Sequence, residues 1–410
     1  MVKISNRRHF LKVAVAVLVT LPFLGSAASA EEPKEIKVGF TLSQSGPYSM
    51  GAQLQQMPNY VMWAEEVNAR GGILIKKLGK RLPVRLVHYD DRSDIETAVR
   101  LYERLATKDK VDLMLPPWGT SMTFAVASIA DRYGYPLIGV TVSSMRLKEL
   151  GLKNFFSMMQ APDAVCGAIV DLLAAVREKA NLKSLGMINV SDLWGVEVVK
   201  ESVPLFRDKG FKIVMEKSYP LGSKDLTVVL KELKAKKIDT YIGYSYPGDT
   251  FLATAQSQGL GFNPKVFWAG IGAILPAYEA KFGAAVNGVM GPGTWNQKVP
   301  FKGSKEYYGR FVKRWKEKPD HWGGPCTWAS LQCIEQAIDK VGDLDRKKLT
   351  QALHNDKFST IIGPVKFTKG SNLATPGMVM QWQQGVYEII WPKERATAEP
   401  IVPKPAWKTQ

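Results

Sequence analysis

Cysteine is scarce in this chain: Cys166, Cys326 and Cys333 are the only three in 410 residues. Cys326 and Cys333 lie seven positions apart in a stretch with helical spacing, about 10 Å along a helix axis, too far for a disulfide. A disulfide scaffold is therefore excluded, and the fold must be held by its core. Histidine is also rare. His9, His88, His321 and His354 are scattered without metal-ligand spacing, and none belongs to an HExxH pair. No P-loop and no G-x-S-x-G is present; "GYSYP" departs from the latter at Pro247. The acidic run "HYDDRSD" (88–94) could hold a metal, but Asp94 reads more simply as a helix cap. No catalytic residue, metal ligand or cofactor is assigned. Low-complexity segments and short repeats are absent, and so is any apolar run long enough to anchor the chain in a bilayer.

What is present begins with an export segment. "NRRHFLK" is a basic start, "VAVAVLVTLPFLG" a short apolar centre, and "ASA" before Glu31 places small residues at the cleavage positions. Cleavage after Ala30 and a soluble periplasmic product are expected. Arg7-Arg8 followed by "HFLK" resembles a twin-arginine signal. No cysteine near the cleavage point offers a lipid attachment site. The segment holds Lys3, Arg7, Arg8 and Lys12 and no acid, so the net charge falls from +17 to +13 on its removal. The remaining lysines are dispersed, as in "KELKAKK" and "FVKRWKEK", at helix-surface spacing. That is a solvated surface rather than a nucleic-acid footprint.

The 380 residues that follow suit two domains. "EIKVGFTL", "LPVRLVHYDD", "VDLML" and "YPLIGVTV" read as strands alternating with helices, among them "DIETAVRLYERLATKD" with Asp94 as N-cap. A second β-α series runs through "SLGMINVS", "FKIVMEKSYP", "IDTYIGYS" and "KVFWAGIG". Helical "EYYGRFVKRWKEK" and "CTWASLQCIEQAIDKVG" come later, and "PVKFTKG" and "MVMQWQQGVYEIIWP" close the chain as hairpin-like strands. Repeated β-α units predict an α/β fold with parallel sheets. Ligands in such sheets bind beyond the carboxyl ends of the strands. Five strand ends carry loops rich in glycine, hydroxyls and aromatics: 43–51, 116–121, 141–144, 191–195 and 244–249.

In this order, "GFTLSQSGPYSMG", "YDDRSDIETAV", "VDLMLPPWGTSMT", "YGYPLIGVTVSS", "NVSDLWGVEV" and "AQSQGL" resemble the substrate-binding proteins of ABC importers of the Leu/Ile/Val-binding type. The resemblance covers about Lys34 to Pro392. It implies the periplasmic binding protein type I fold: two Rossmann-like lobes joined by a three-crossing hinge, closing on a ligand in the cleft. The first lobe is expected over 34–160 and 292–372, the second over 161–291 and 373–395, with 396–410 as a tail.

The resemblance also implies site residues. Thr120, Ser121 and the helix-start amides match the position that holds a ligand carboxylate. Thr141 and Ser143 match a loop that supplies a carbonyl and a second hydroxyl. Trp194 stands where the family usually has a tyrosine that closes over the ligand. Where amino-acid binders carry an acid for the ligand ammonium, this chain has Ile271, and Asp249 and Asp192 are the nearest acids in neighbouring loops. Both acids also read as ordinary cap or turn residues. A buried ammonium without a carboxylate is costly. The expected ligand is therefore a small aromatic or branched apolar carboxylate, with Tyr48, Trp118, Trp194, Tyr244 and Tyr246 around its body. The alternatives are an amino acid captured by the same importer class, or a ligand sensor. The expected partners are that small molecule and an inner-membrane ABC permease, with the protein a monomer.

Overall fold

The computed structural model describes residues 32–407. The export segment 1–30 lies outside the described residues.

The central parallel strands are near-continuous apolar runs, as strands covered on both faces must be. Every residue of Thr240–Tyr244 and of Val266–Trp268 is buried. On one side, Ile36–Thr41 pairs in parallel with Val84–Tyr89 and with Leu113–Met114. Leu137–Gly139 pairs in parallel with Phe155–Ser157, and Phe367–Thr368 and Ser371–Asn372 extend that sheet. On the other side, one seven-stranded sheet runs Val386–Trp391, Met378–Gln383, Met290–Gly293, Val266–Trp268, Thr240–Tyr244, Ser184–Val190, Lys212–Tyr219. Its members from Met290–Gly293 to Lys212–Tyr219 are parallel; the hairpin Met378–Trp391 is antiparallel.

The chain leaves the large sheet after Met290–Gly293. It forms helices Ser304–Trp315, Gly323–Val341 and Arg346–Asn355, then returns at Met378. The helix Gly323–Val341 packs against Met57–Ala69, behind the first sheet. Asp94 caps the helix Ile95–Thr107 by accepting from Thr97 N. Cys166, Cys326 and Cys333 are free and buried.

Several strands are shorter than their apolar patterns predict. "VDLML" forms regular strand only at Leu113–Met114, with Asp112 N and Leu115 N still donating to Lys37 O and Gly39 O; beyond Leu115, Pro116 and Pro117 bring no N–H to the ladder. The small hairpin Ile73–Ile75 with Lys80–Leu82, and the strands Phe155–Ser157 and Met290–Gly293, carry too few residues for a period to show. The tail packs on the large-sheet side: Trp407 Nε1 donates to Phe262 O at 2.7 Å and its ring meets Phe267 edge-on.

Candidate functional site

A small cavity of about 20 Å³ lies beyond the carboxyl ends of strands from both sides. It is lined by Gln55, Trp118, Thr120, Thr141, Ser143 and Met159 from one side, Trp194, Tyr246 and Ile271 from the other, and Trp322-Gly323 at the start of a late helix. Among the described residues, no Asp, Glu, Lys, Arg or His lines it. Tyr246 is the hub of its aromatic wall. It stacks on Trp194 with centroids 5.1 Å apart and meets Trp118 at 5.2 Å.

The turn at Thr120 is built for an acceptor. The helix Thr120–Arg132 has Gly119 as N-cap, with no side-chain cap. Gly119 has φ +96°, which strains any residue with a Cβ. No protein acceptor meets the N–H groups of Thr120, Ser121 and Met122 among the described residues. Neither Thr120 nor Ser121 caps the helix, so the first-turn amides stay open to an anion. The hydroxyls around the turn are mostly engaged. Thr141 Oγ1 accepts from Gly119 N at 3.1 Å and donates to Gln56 Oε1 at 3.4 Å. Ser143 Oγ donates to Gln160 O at 2.7 Å. Thr120 Oγ1 accepts from Ser143 N at 3.2 Å, which leaves its own proton unassigned.

Two carboxylates at the helix Leu193–Asp208, half-buried Asp192 and buried Glu197, gather donors, most of them from the opposite side. Asp192 caps that helix through Gly195 N and accepts from Tyr246 OH at 2.7 Å, Ser121 Oγ at 3.1 Å and Tyr48 OH at 3.4 Å. Glu197 accepts from Ser144 Oγ at 3.1 Å and Met145 N at 2.7 Å. Burial raises the Asp192 pKa, and the four hydrogen bonds only partly offset it. Burial, then the nearby Asp192 charge, pushes the Tyr246 phenol well above its ordinary value, so it remains a donor.

Seven of the expected residues line the cavity: Trp118, Thr120, Thr141, Ser143, Trp194, Tyr246 and Ile271. Four do not. Ser121 and Tyr48 turn to Asp192. Tyr244 lies behind Trp194, its OH 3.8 Å from Cys166 Sγ. Asp249 sits in the first turn of the helix Pro247–Gly259, whose N-cap is Tyr246 rather than Asp249. It accepts from Tyr219 OH at 3.4 Å, outside the lining. Gln55, Met159, Trp322 and Gly323 complete the cavity and were not expected. A signal for Trp322 was available. Of 11 tryptophans, only Trp118, Trp194 and Trp322 are followed by glycine, and these are the three in the cavity.

Burial raises the Asp249 carboxyl from its ordinary 3.8 to about 6. A carboxyl raised on folding contributes stability that is full below pH 3.8 and lost as pH rises through about 6. Asp249→Asn should therefore remove one component of the fall in stability between pH 4 and 6. Thermal melts of both proteins across that range check this; parallel profiles would contradict the buried placement.

Residues 35–386 match the periplasmic binding protein family, and the chain belongs to it. As a periplasmic binding protein it is a solute-binding protein rather than an enzyme. Leu/Ile/Val-binding protein homolog 7 of Brucella abortus is 22% identical, covering 97% of this chain and 100% of that one. A solute-binding protein of an ABC transporter from R. palustris, solved with benzoate, superposes with a TM-score of 0.76 at 20% identity, covering 90% of this chain and 98% of that one. The branched-chain amino acid transporter substrate-binding protein of Streptococcus pneumoniae, solved with isoleucine, gives a TM-score of 0.75 at 19% identity, covering 88% and 100%. No described helix is long and apolar enough to cross a membrane.

Proposed function

We propose that the protein captures a small carboxylate with a flat aromatic or branched apolar body and delivers it to an inner-membrane permease. The observation that carries this reading is the pairing of an uncapped helix start at Thr120 with an otherwise uncharged aromatic wall. The amides and the Thr120 hydroxyl suit an anion. Trp118, Trp194, Trp322, Tyr246 and Ile271 suit a ring or branched chain. An ammonium would find no carboxylate in the described lining. The benzoate-bound neighbour supports the same class.

In this reading the lobes are 34–160 with 292–372, and 161–291 with 373–395, and the export segment is cleaved after Ala30. The hydrogen bonds that Asp192 and Glu197 accept from Tyr48, Ser121, Ser144 and Met145 support a closed cleft. A second reading, an amino-acid ligand, draws support from the isoleucine-bound neighbour and requires Asp192 or Asp249 to turn inward.

Calorimetry with benzoate, 4-hydroxybenzoate, leucine and phenylalanine decides between them, with small-angle scattering on the same samples. Micromolar binding of a benzoate with a contracting profile is expected. Binding of leucine or phenylalanine with no heat from either benzoate would restore the amino-acid reading.

A further inference from the structure

We infer that Gln55 reads a second polar group on the ligand: its side-chain NH₂ donates to an acceptor oxygen carried by the apolar body. The preferred ligand is then an aromatic carboxylate bearing a ring oxygen as hydroxyl, ether or carbonyl. The inference rests on the carboxylate reading above.

Gln55 is 1% exposed and lines the cavity. Its Oε1 accepts from Trp118 Nε1 at 2.6 Å. An indole N–H only donates, so this contact fixes which end of the amide is oxygen and which is nitrogen. The nitrogen end, Nε2, is buried without any hydrogen-bond partner. The next residue shows the contrast. Gln56 Nε2 donates to Tyr60 OH at 2.9 Å and Pro116 O at 3.2 Å, and its Oε1 accepts from Thr141. Of two adjacent glutamines, one is satisfied within the protein, and the other, which lines the cavity, keeps an NH₂ with no protein partner.

The surroundings hold Gln55 in place. Its backbone carbonyl accepts from Asn59 Nδ2 at 2.7 Å, and Asn59 Oδ1 in turn accepts from Tyr307 OH at 2.9 Å. A Cβ at Gly323 would stand 2.6 Å from Gln55 Oε1, so glycine there leaves room for the amide. Gln55 also lies in a π-helical turn, Ala52–Gln56. Such widened turns recur at functional sites because they re-aim side chains.

The free NH₂ is distinct from the carboxylate position. Thr120 OH and the amides of Thr120, Ser121 and Met122 already suffice for two carboxylate oxygens. The Trp118 indole separates the two places. Its ring nitrogen meets Gln55, while its backbone leads into Gly119 and Thr120. A buried donor with no partner is unfavourable, and a ligand acceptor would relieve it.

The test is calorimetry on the mature protein with benzoate, 4-methylbenzoate, 3- and 4-hydroxybenzoate and 4-methoxybenzoate. One oxygen-substituted ring should bind about 10-fold more tightly than 4-methylbenzoate, the size of effect one hydrogen bond gives. Gln55→Met should erase that preference, bringing the ratio of the two affinities to about one whatever its effect on 4-methylbenzoate itself. A second variant, Trp118→Phe, removes the N–H that orients the amide, so 4-aminobenzoate, a donor, should gain relative to 4-methoxybenzoate. If Gln55 only supports Trp118, Gln55→Met weakens all ligands alike and the ratio stays; that result overturns the inference. Wild-type binding of all benzoates without preference overturns it while leaving the carboxylate reading intact. No binding of any benzoate removes both.

Discussion

Thr120→Ala should weaken binding of an aromatic carboxylate about 10- to 150-fold. The hydroxyl oxygen accepts from Ser143 N, so its proton is directed elsewhere. Of the four hydroxyls that line the cavity, those of Thr141, Ser143 and Tyr246 already donate within the protein. Only Thr120 keeps a proton for the ligand. A hydrogen bond to an ionised group contributes about 1.5–3 kcal/mol, which converts to that range of affinity. Some folding stability should go with it, because the buried Ser143 N loses its acceptor. Thr120→Ser retains the hydroxyl and should restore affinity to within about threefold, which separates ligand contact from packing. Calorimetry on both variants checks this. Affinity unchanged within about twofold in Thr120→Ala would make Thr120 structural only.

Much of the fold was legible because parallel β-α units write themselves as alternating apolar runs and helical periods. The strands Ile36–Thr41, Ser184–Val190 and Thr240–Tyr244 fall where those runs lie. The strands that escaped, such as Ile73–Ile75 and Met290–Gly293, are three and four residues long. They pair because tertiary neighbours bring them together, not because their own pattern demands it. The candidate site was legible where strand ends carry unusual loops, as at Trp118-Thr120 and Trp194. It was hidden at Gln55, which lies inside an ordinary helical pattern. A second glutamine beside it has a different role, and nothing local distinguishes the two. Trp322 was hidden for another reason. It belongs to a late helix start, remote in sequence from the repeated units, although its Trp-Gly pair repeats that of Trp118 and Trp194. Tyr48 and Ser121 sit in the loops that predicted them yet turn to Asp192, because a carboxylate half withdrawn from water needs several donors.

The largest expected effect is at Ile271, which lines the cavity from the large-sheet side and brings no charge there. Ile271→Glu would place a carboxylate beside the bound carboxylate. Two like charges about 5 Å apart repel by roughly 3 kcal/mol at an effective dielectric near 20. Desolvation of the introduced group adds to this, so affinity for benzoate at pH 8 should fall on the order of 10³-fold or more. Ile271→Gln has the same length without the charge and should lose far less. The sign of the pH dependence identifies the cause. Burial and the ligand charge both raise the pKa of the introduced carboxyl, and its neutral form does not repel the ligand. Benzoate binding by Ile271→Glu should therefore recover as pH falls through that raised pKa, while Ile271→Gln shows no such recovery. The ammonium of phenylalanine would meet an opposite charge at the same position, so phenylalanine should gain affinity in Ile271→Glu at pH 8. Calorimetry with both ligands at pH 8 and pH 5 measures the exchange. Benzoate affinity equal in Ile271→Glu and Ile271→Gln at pH 8 would mean that position 271 does not face the ligand, and the ligand class would have to be argued from Asp192 or Asp249 instead.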